Sequence, residues 1–195
     1  VELRVATVGR VLPHTEVKII DTNGHIVRPG EPGELCTRGY CVMRGYWADP
    51  DRTAKEINVA HWIKSGDIAT MDENGYVRIV GRIKDMVIRG GENIFPREIE
   101  DFLYTNTKID EVEVFGVPDP KYGEEVAAWI HLREGATADE DEIRNFCKGK
   151  LAHYKIPKYI RFVDSFPMTV TGKVQKYVMR ERMAKELGLS QEEHA

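Results

Sequence analysis

The chain has 195 residues, of which 42% are hydrophobic and 31% charged, with a formal net charge of -4. Such a chain fits one medium domain or two small ones around a packed core, and its acidic balance argues against a general affinity for nucleic acid, which takes a basic excess. No apolar run approaches the roughly 20 residues of a membrane span.

The opening "VELRVATVGR" lacks the apolar stretch of a signal peptide. Three cysteines, Cys36, Cys41 and Cys147, are odd in number and not metal-spaced, which favours free thiols in a reducing compartment. The six histidines form no H-x-x-x-H pattern, so no structural metal site is expected.

In chain order, "EVKIID" (16–21) has strand composition and "TNGH" supplies a turn. Two glycine-bearing breaks bracket a strand near Leu35 and Thr37. "DPDRTAKEI" (49–57) is a short helix with Asp49 or Asp51 near its start. In "DIATMDENGYVRIVGR" two strand-like runs flank an Asn-Gly hairpin turn. "KDMVIR" reads as a strand, followed by "GGEN" and a helix opening at Pro96. Ile99, Phe102, Leu103 and Asn106 share one face of that helix, and the first three should meet a core.

Strands follow at 111–117 and 125–132. "TADE" (137–140) is a capping-box pattern with Thr137 and Glu140 in the reciprocal positions. Behind it lies an apolar stripe of Ile143, Phe146, Cys147 and Leu151. "KYIRFVD" (158–164) is a further strand. A last helix from about Gln175 carries Met179, Met183 and Leu187. The fold class is α+β. Residues 1–82 form a β-rich piece with one helix, and 83–195 a small domain with a mixed sheet flanked by helices.

Three stretches carry chemistry. "FPMTVTGKVQK" (166–176) places a lysine after a glycine. It is not a phosphate loop, because Pro167 stands where the first glycine belongs and Val174 where a hydroxyl should follow the lysine. A Gly-Lys pair can be a solvated turn. It can also bring a compact, mobile cation to an anion, since glycine permits close approach. In "WIKSGDIATM" (62–71), Asp67 at a strand start could accept hydrogen bonds from a ribose, or simply end a Gly-Asp turn. In "VGRIKDMVIRGGENIFPREIE" (80–100), Arg82 and Lys84 would share a strand face. Gly90-Gly91 would link strand to helix and offer free N–H groups to an extended ligand, or be only a tight connection.

"GELCTRGYCVMRGYW" (33–47), "WIKSGDIA" (62–69), "GRIKDMVIRGGENIFPREIE" (81–100), "YKIPKYIRF" (154–162) and "PMTVTGKVQK" (167–176) occur in that order. Together they resemble the C-terminal part of the acyl-adenylate-forming enzymes: acyl-CoA synthetases, adenylation domains of peptide synthetases and beetle luciferases. The wording of "TVGRVLPHTEVKIID", "GYCVMRGYW" and "FCKGKLAHYKIPKYI" is most similar to medium-chain fatty acyl-CoA synthetases.

The resemblance implies an AMP-forming acid–CoA ligase using ATP, CoA and a carboxylic acid. Asp67 would hold the ATP ribose and Arg82 would also contact the nucleotide. Lys84 would be the hinge, where many members carry aspartate. Gly90, Gly91 and Glu92 would line the pantetheine tunnel, and Lys173 would be the catalytic lysine of adenylation. The family's phosphate loop and adenine segment do not occur in these residues. The resemblance therefore implies a fragment: the last β subdomain of the large domain plus the whole small domain, inactive alone, with magnesium held in the missing N-terminal part. No nucleic-acid partner is expected, homo-oligomerisation stays open, and the compartment is cytoplasm or mitochondrial matrix. A non-catalytic interaction or dimerisation module is the alternative, as is an adenylating ligase for an aryl acid or a carrier-protein acceptor.

Overall fold

The computed structural model describes residues 6–189, and the chain divides into two compact units, Val1–Lys84 and Asp85–Ala195. In the first unit, β1 (Gly9–Arg10), β2 (Thr15–Ile20), β3 (Gly33–Gly39), β4 (Ile63–Met71) and β5 (Tyr76–Arg82) form one sheet in the order β1-β5-β4-β3-β2. Every neighbouring pair is antiparallel. Alternation along the strands sends Ile19, Ala69 and Val77 inward, with Val17, Leu35, Met71 and Ile79 packed around them. The "DENG" turn joins β4 to β5 as expected. Asp72 Oδ1 accepts from the amides of Asn74 at 2.9 Å and Tyr76 at 2.8 Å, an Asx turn that sets the hairpin. Helix α1 (Pro50–Glu56) is capped by Asp49, whose Oδ1 accepts from the Arg52 amide at 3.0 Å.

The second unit is built on a long hairpin, β8 (Ile109–Asp119) and β9 (Gly123–Leu132), paired antiparallel along its length. The other edge of β9 is shared. β10 (Tyr159–Phe162) runs parallel to it from Ala127 to Ile130, and β6 (Val87–Arg89) meets it at Gly123. β7 (Glu92–Ile94) completes the sheet beside β6. The sheet is mixed, and helices cover both faces, in agreement with the expected α+β class.

Alternate residues of the hairpin feed two different cores. Val112, Val114, Val126, Ala128 and Ile130 face α2 (Pro96–Leu103) and α3 (Glu140–Cys147), through Ile99, Leu103, Ile143 and Cys147. Phe115, Val117, Ala127 and Trp129 face α4 (Lys176–Glu186), through Met179 and Met183. A strand buried on both sides reads as a continuous apolar run rather than an alternation, which is how "EVAAWIHL" reads.

The structure differs from the sequence reading at several points. "KDMVIR" is not one strand: Ile83–Asp85 is a turn of 3₁₀ helix and the strand is only Val87–Arg89. β5 ends at Arg82, so Arg82 and Lys84 do not share a strand face. The cap of α3 is Asp139, whose side chain accepts from the Glu142 amide at 2.8 Å, and not Thr137. Asp is as good a cap as Thr, and the last candidate before the helix wins. Leu187 lies beyond α4 and is exposed. The Leu189 amide donates to Ala184 O at 2.8 Å and that of Gly188 to Lys185 O at 3.2 Å, a Schellman closure that brings Leu189 onto the Met179–Met183 cluster instead.

Two measurements test this packing. Leu103→Ala, at a fully buried position, should cost about 3 kcal/mol in urea unfolding, whereas Val170→Ala, fully exposed, should stay within about 0.5 kcal/mol. Burial pushes the Cys147 thiol up to about 11 and raises that of Cys36. A thiol reagent should therefore modify Cys41, which is exposed, long before the other two, which should react only on unfolding.

Candidate functional site

Lys173 sits in a miniature hairpin between β10 and α4. Met168 and Val174 form a β-bridge. Inside it the Thr169 amide donates to Lys173 O at 2.8 Å and the Gly172 amide to Thr169 O at 2.9 Å. Gly172 has φ 78°, the left-handed residue that a three-residue hairpin loop requires. The Lys173 amide donates to Thr169 Oγ1 at 3.0 Å, so a side chain locks the turn from within. The Gln175 amide donates to Pro167 O at 2.8 Å and closes the base. The backbone of Lys173 is thus fixed while its side chain is exposed and, among the described residues, has no hydrogen-bond or ion-pair partner.

Three residues on, Lys176 is the opposite case. Its Nζ lies 2.6 Å from Glu100 Oε1, 3.0 Å from Glu113 Oε2 and 3.1 Å from Val114 O. Burial works against this ammonium, but Glu100 and Glu113 outweigh it and the group titrates above its ordinary value. Burial raises the Glu113 carboxyl despite the neighbouring Lys176. Nothing in the sequence reading singled out Lys176, Glu100 or Glu113. Partners 76 positions apart leave no local pattern.

Asp67 and Arg82 face each other across β4 and β5. Arg82 Nε donates to Asp67 Oδ1 at 2.9 Å, and the Asp67 amide donates to Ser65 Oγ at 3.0 Å. The arginine is largely exposed and binds through Nε, which leaves its two terminal nitrogens and the second carboxylate oxygen for other partners. Lys84 is exposed in the 3₁₀ turn that ends the first unit.

Gly90 and Gly91 are not a strand-to-helix loop. They are the two central residues of the hairpin joining β6 to β7, with Arg89 paired to Glu92. Their φ values of 58° and 89° are the doubly left-handed pattern of a type I′ turn, which glycine adopts without strain. The turn does not offer a row of free amides, because Gly90 N–H donates to Tyr122 O at 2.8 Å. Glu92 is exposed beside it.

The hairpin is fastened to the β8–β9 turn by charge as well. Arg89 Nε meets the buried Glu125 Oε1 at 2.5 Å, and Arg89 also lies 4.1 Å from the centre of the Tyr122 ring. Glu124 accepts from the Ile88 amide at 2.7 Å and from Arg180 Nη2 at 2.5 Å. Asp119 accepts from the amides of Lys121 at 3.0 Å and Tyr122 at 2.9 Å, and from Lys158 Nζ at 3.0 Å. Among the described residues, no group of three or more His, Cys, Asp or Glu side chains could hold a metal ion.

Solved structures similar to this chain include an enzyme bound to ATP and one bound to its acyl-adenylate. ATP-bound MatB from Rhodopseudomonas palustris matches with a TM-score of 0.88 at 38% identity, over 93% of this chain and 36% of that one. The o-succinylbenzoate CoA synthetase MenE from Bacillus subtilis, in complex with its acyl-adenylate intermediate, matches with a TM-score of 0.82 at 29% identity, over 93% of this chain and 36% of that one. Residues 98–173 match the AMP-binding enzyme C-terminal domain, and residues 2–47 match the AMP-binding enzyme family. The chain belongs to the AMP-binding enzymes. It is 56% identical over 188 residues to the putative acyl-CoA synthetase YngI of Bacillus subtilis (strain 168), covering 96% of this chain and 34% of that protein. It is 53% identical over 190 residues to the mitochondrial medium-chain acyl-CoA ligase ACSF2 of Bos taurus, covering 97% and 31%. The chain thus spans about a third of the length of these curated relatives.

The Asp119 network gives a pH test. Burial alone would raise this carboxyl, but Lys158 and the two amides hold it below the usual carboxylate range. A depressed folded value stabilises the protein above the unfolded value of about 3.9 and loses that effect as pH falls through the folded one. Asp119→Asn should therefore destabilise the protein at about pH 7, and its deficit relative to wild type should shrink at about pH 3. Urea unfolding at both pH values measures this.

Proposed function

We propose that the whole protein is an AMP-forming acid–CoA ligase acting on a fatty acid, and that this chain supplies residues to both of its half-reactions. The observation that carries the reading is the Lys173 ammonium, without a partner among the described residues and exposed on a turn whose backbone is held by four hydrogen bonds and a bridge. The names of the relatives, an acyl-CoA synthetase and a medium-chain acyl-CoA ligase, support the substrate class.

In the first half-reaction a carboxylate oxygen attacks the α-phosphorus of ATP, and the bond to the β-phosphate breaks as pyrophosphate leaves. Two like charges at about 4 Å repel by about 4 kcal/mol at an effective dielectric near 20. A lysine placed between carboxylate and α-phosphate offsets that repulsion and orients in-line attack. Asp67, with one oxygen on Arg82 and the other free, would accept from ribose hydroxyls while Arg82 turns its terminal nitrogens to the nucleotide.

In the second half-reaction the CoA thiol attacks the acyl carbon, the bond to AMP breaks and AMP leaves. The Gly90-Gly91 turn, with Glu92 beside it, would line the path of the pantetheine arm. Lys84 would be the hinge about which one face of the small domain replaces the other. ATP and CoA are the cosubstrates. Among the described residues no group of three or more His, Cys, Asp or Glu side chains could hold a metal ion, and no step is assigned to magnesium here. Cytoplasm or mitochondrial matrix is the compartment we favour. The ACSF2 relatives are mitochondrial, and among the described residues no helix is long and apolar enough to cross a membrane.

In the intact enzyme, Lys173→Ala should slow adenylation by about 10²- to 10³-fold and leave thioester formation from supplied acyl-AMP within about threefold. Equal losses in both steps would overturn the assignment. Gly91→Leu should show the reverse split. Because φ at Gly91 is 89°, Gly91→Asn serves as the control for backbone strain, since asparagine tolerates the left-handed region. A leucine variant no worse than the asparagine variant would remove the tunnel role.

A further inference from the structure

We infer that Lys176, clamped by Glu100 and Glu113, is a positioning residue that sets where the Lys173 turn stands. The inference rests on the adenylating role proposed above for Lys173.

Lys176 is the first residue of α4, which has no acidic side chain in its first turn. A cation there opposes the helix dipole. Gln175, the cap residue, makes no side-chain capping bond. Local chemistry therefore does not favour a lysine at this position, and a residue that breaks a local rule needs a compensating tertiary reason. Here that reason is geometric. The ammonium has three N–H donors, and Glu100, Glu113 and Val114 O take all three.

The acceptors come from α2 and β8, which place Ile99, Leu103, Val112 and Val114 in one core of the unit. Glu100 Oε1 also accepts from the Val114 amide at 2.8 Å. Glu100 and Lys176 together thus satisfy both backbone groups of Val114 on the edge of β8 that faces away from β9. Covering that edge does not by itself call for charge. Two residues earlier, the neutral hydroxyl of Tyr104 takes the Val112 amide at 3.4 Å. The charged clamp adds a fixed point at the end of the Lys173 turn. Only Val174 and Gln175 separate the two lysines, and Gln175 closes the base of the turn onto Pro167. A shift of Lys176 moves that base, and with it the ammonium of Lys173.

The test uses the intact enzyme. Lys176→Met keeps the apolar stem and removes the charge. It should lower kcat for adenylation by about 10- to 100-fold, as expected for a catalytic group displaced by about 1 Å. KM for ATP and thioester formation from supplied acyl-AMP should both stay within about threefold. Added to Lys173→Ala, it should cause no further loss of adenylation, because it acts through Lys173. Hydrogen exchange at the Thr169 and Lys173 amides should accelerate. Unchanged adenylation, equal losses in both half-reactions, or full additivity with Lys173→Ala would each overturn the inference.

Should Lys176→Met not fold, Glu100→Gln, which keeps an acceptor oxygen and loses the charge, must show the same split at smaller amplitude, and its absence overturns the inference equally. Lys173→Ala alone separates the two levels. If it spares adenylation, the reading of Lys173 fails. If it abolishes adenylation while Lys176→Met does not, only the positioning role fails.

Discussion

The antiparallel pairing of β8 with β9 is the constraint on which the second unit depends. Its register, from Ile109 opposite Leu132 to Asp119 opposite Gly123, decides which side chains enter which core. Because side chains alternate across a strand, a slip of one residue would exchange the two faces. Val114 would then point at α4 and Phe115 at α2. Both layers are closely packed around residues with no exposed surface, so neither could accept the other's side chains. The same register fixes the turn at Asp119–Gly123, and that turn holds the Gly90-Gly91 hairpin through Tyr122 O and the Arg89–Glu125 pair. Core packing and the placement of the Gly90-Gly91 hairpin thus share one cause.

Charge is distributed in two ways over this scaffold. Lys176, Lys158, Lys155 and Arg89 are tied to carboxylates, and each joins elements distant in sequence. Such pairs contribute little to stability when exposed, but when half-buried they fix geometry, since breaking one leaves an uncompensated charge. Lys173 is exempt. A cation proposed to stand between two anions needs an ammonium free of any permanent partner, whereas its backbone can be held tightly. The turn meets both needs: it is rigid through Thr169 and Gly172, and free at the ammonium.

The first unit shows the same economy with a smaller core. A single sheet buries Ile19, Ala69 and Val77 on one side. Its edge of interest, the end of β4 and β5, carries Asp67 and Arg82 opposite one another. Their hydrogen bond uses one atom of each fork. It orients both groups without saturating either, as the nucleotide contact proposed for them would require.

Periodicity and turn chemistry are local, and local features were legible in the sequence. The apolar stripes of α2 and α3, the "DENG" hairpin, the strands around residues 111–117 and 125–132 and the mixed α+β class all follow from residues within a few positions of each other. The ordered motifs made Asp67, Arg82, Gly90, Gly91 and Lys173 candidates. The glycine turn was misread because β7 is only three residues long, too short for an alternation to register before Pro96 starts a helix. Asp139 caps α3 in place of the expected Thr137, since both residue types fit a cap and only the backbone path selects between them.

Tertiary structure alone decided which lysine is held and which is free. Lys173 and Lys176 stand three apart in one polar stretch, and nothing near them distinguishes their fates. The difference lies in Glu100 and Glu113, brought up by α2 and β8 from 76 and 63 positions away, since ion pairing depends on distance in space and not along the chain.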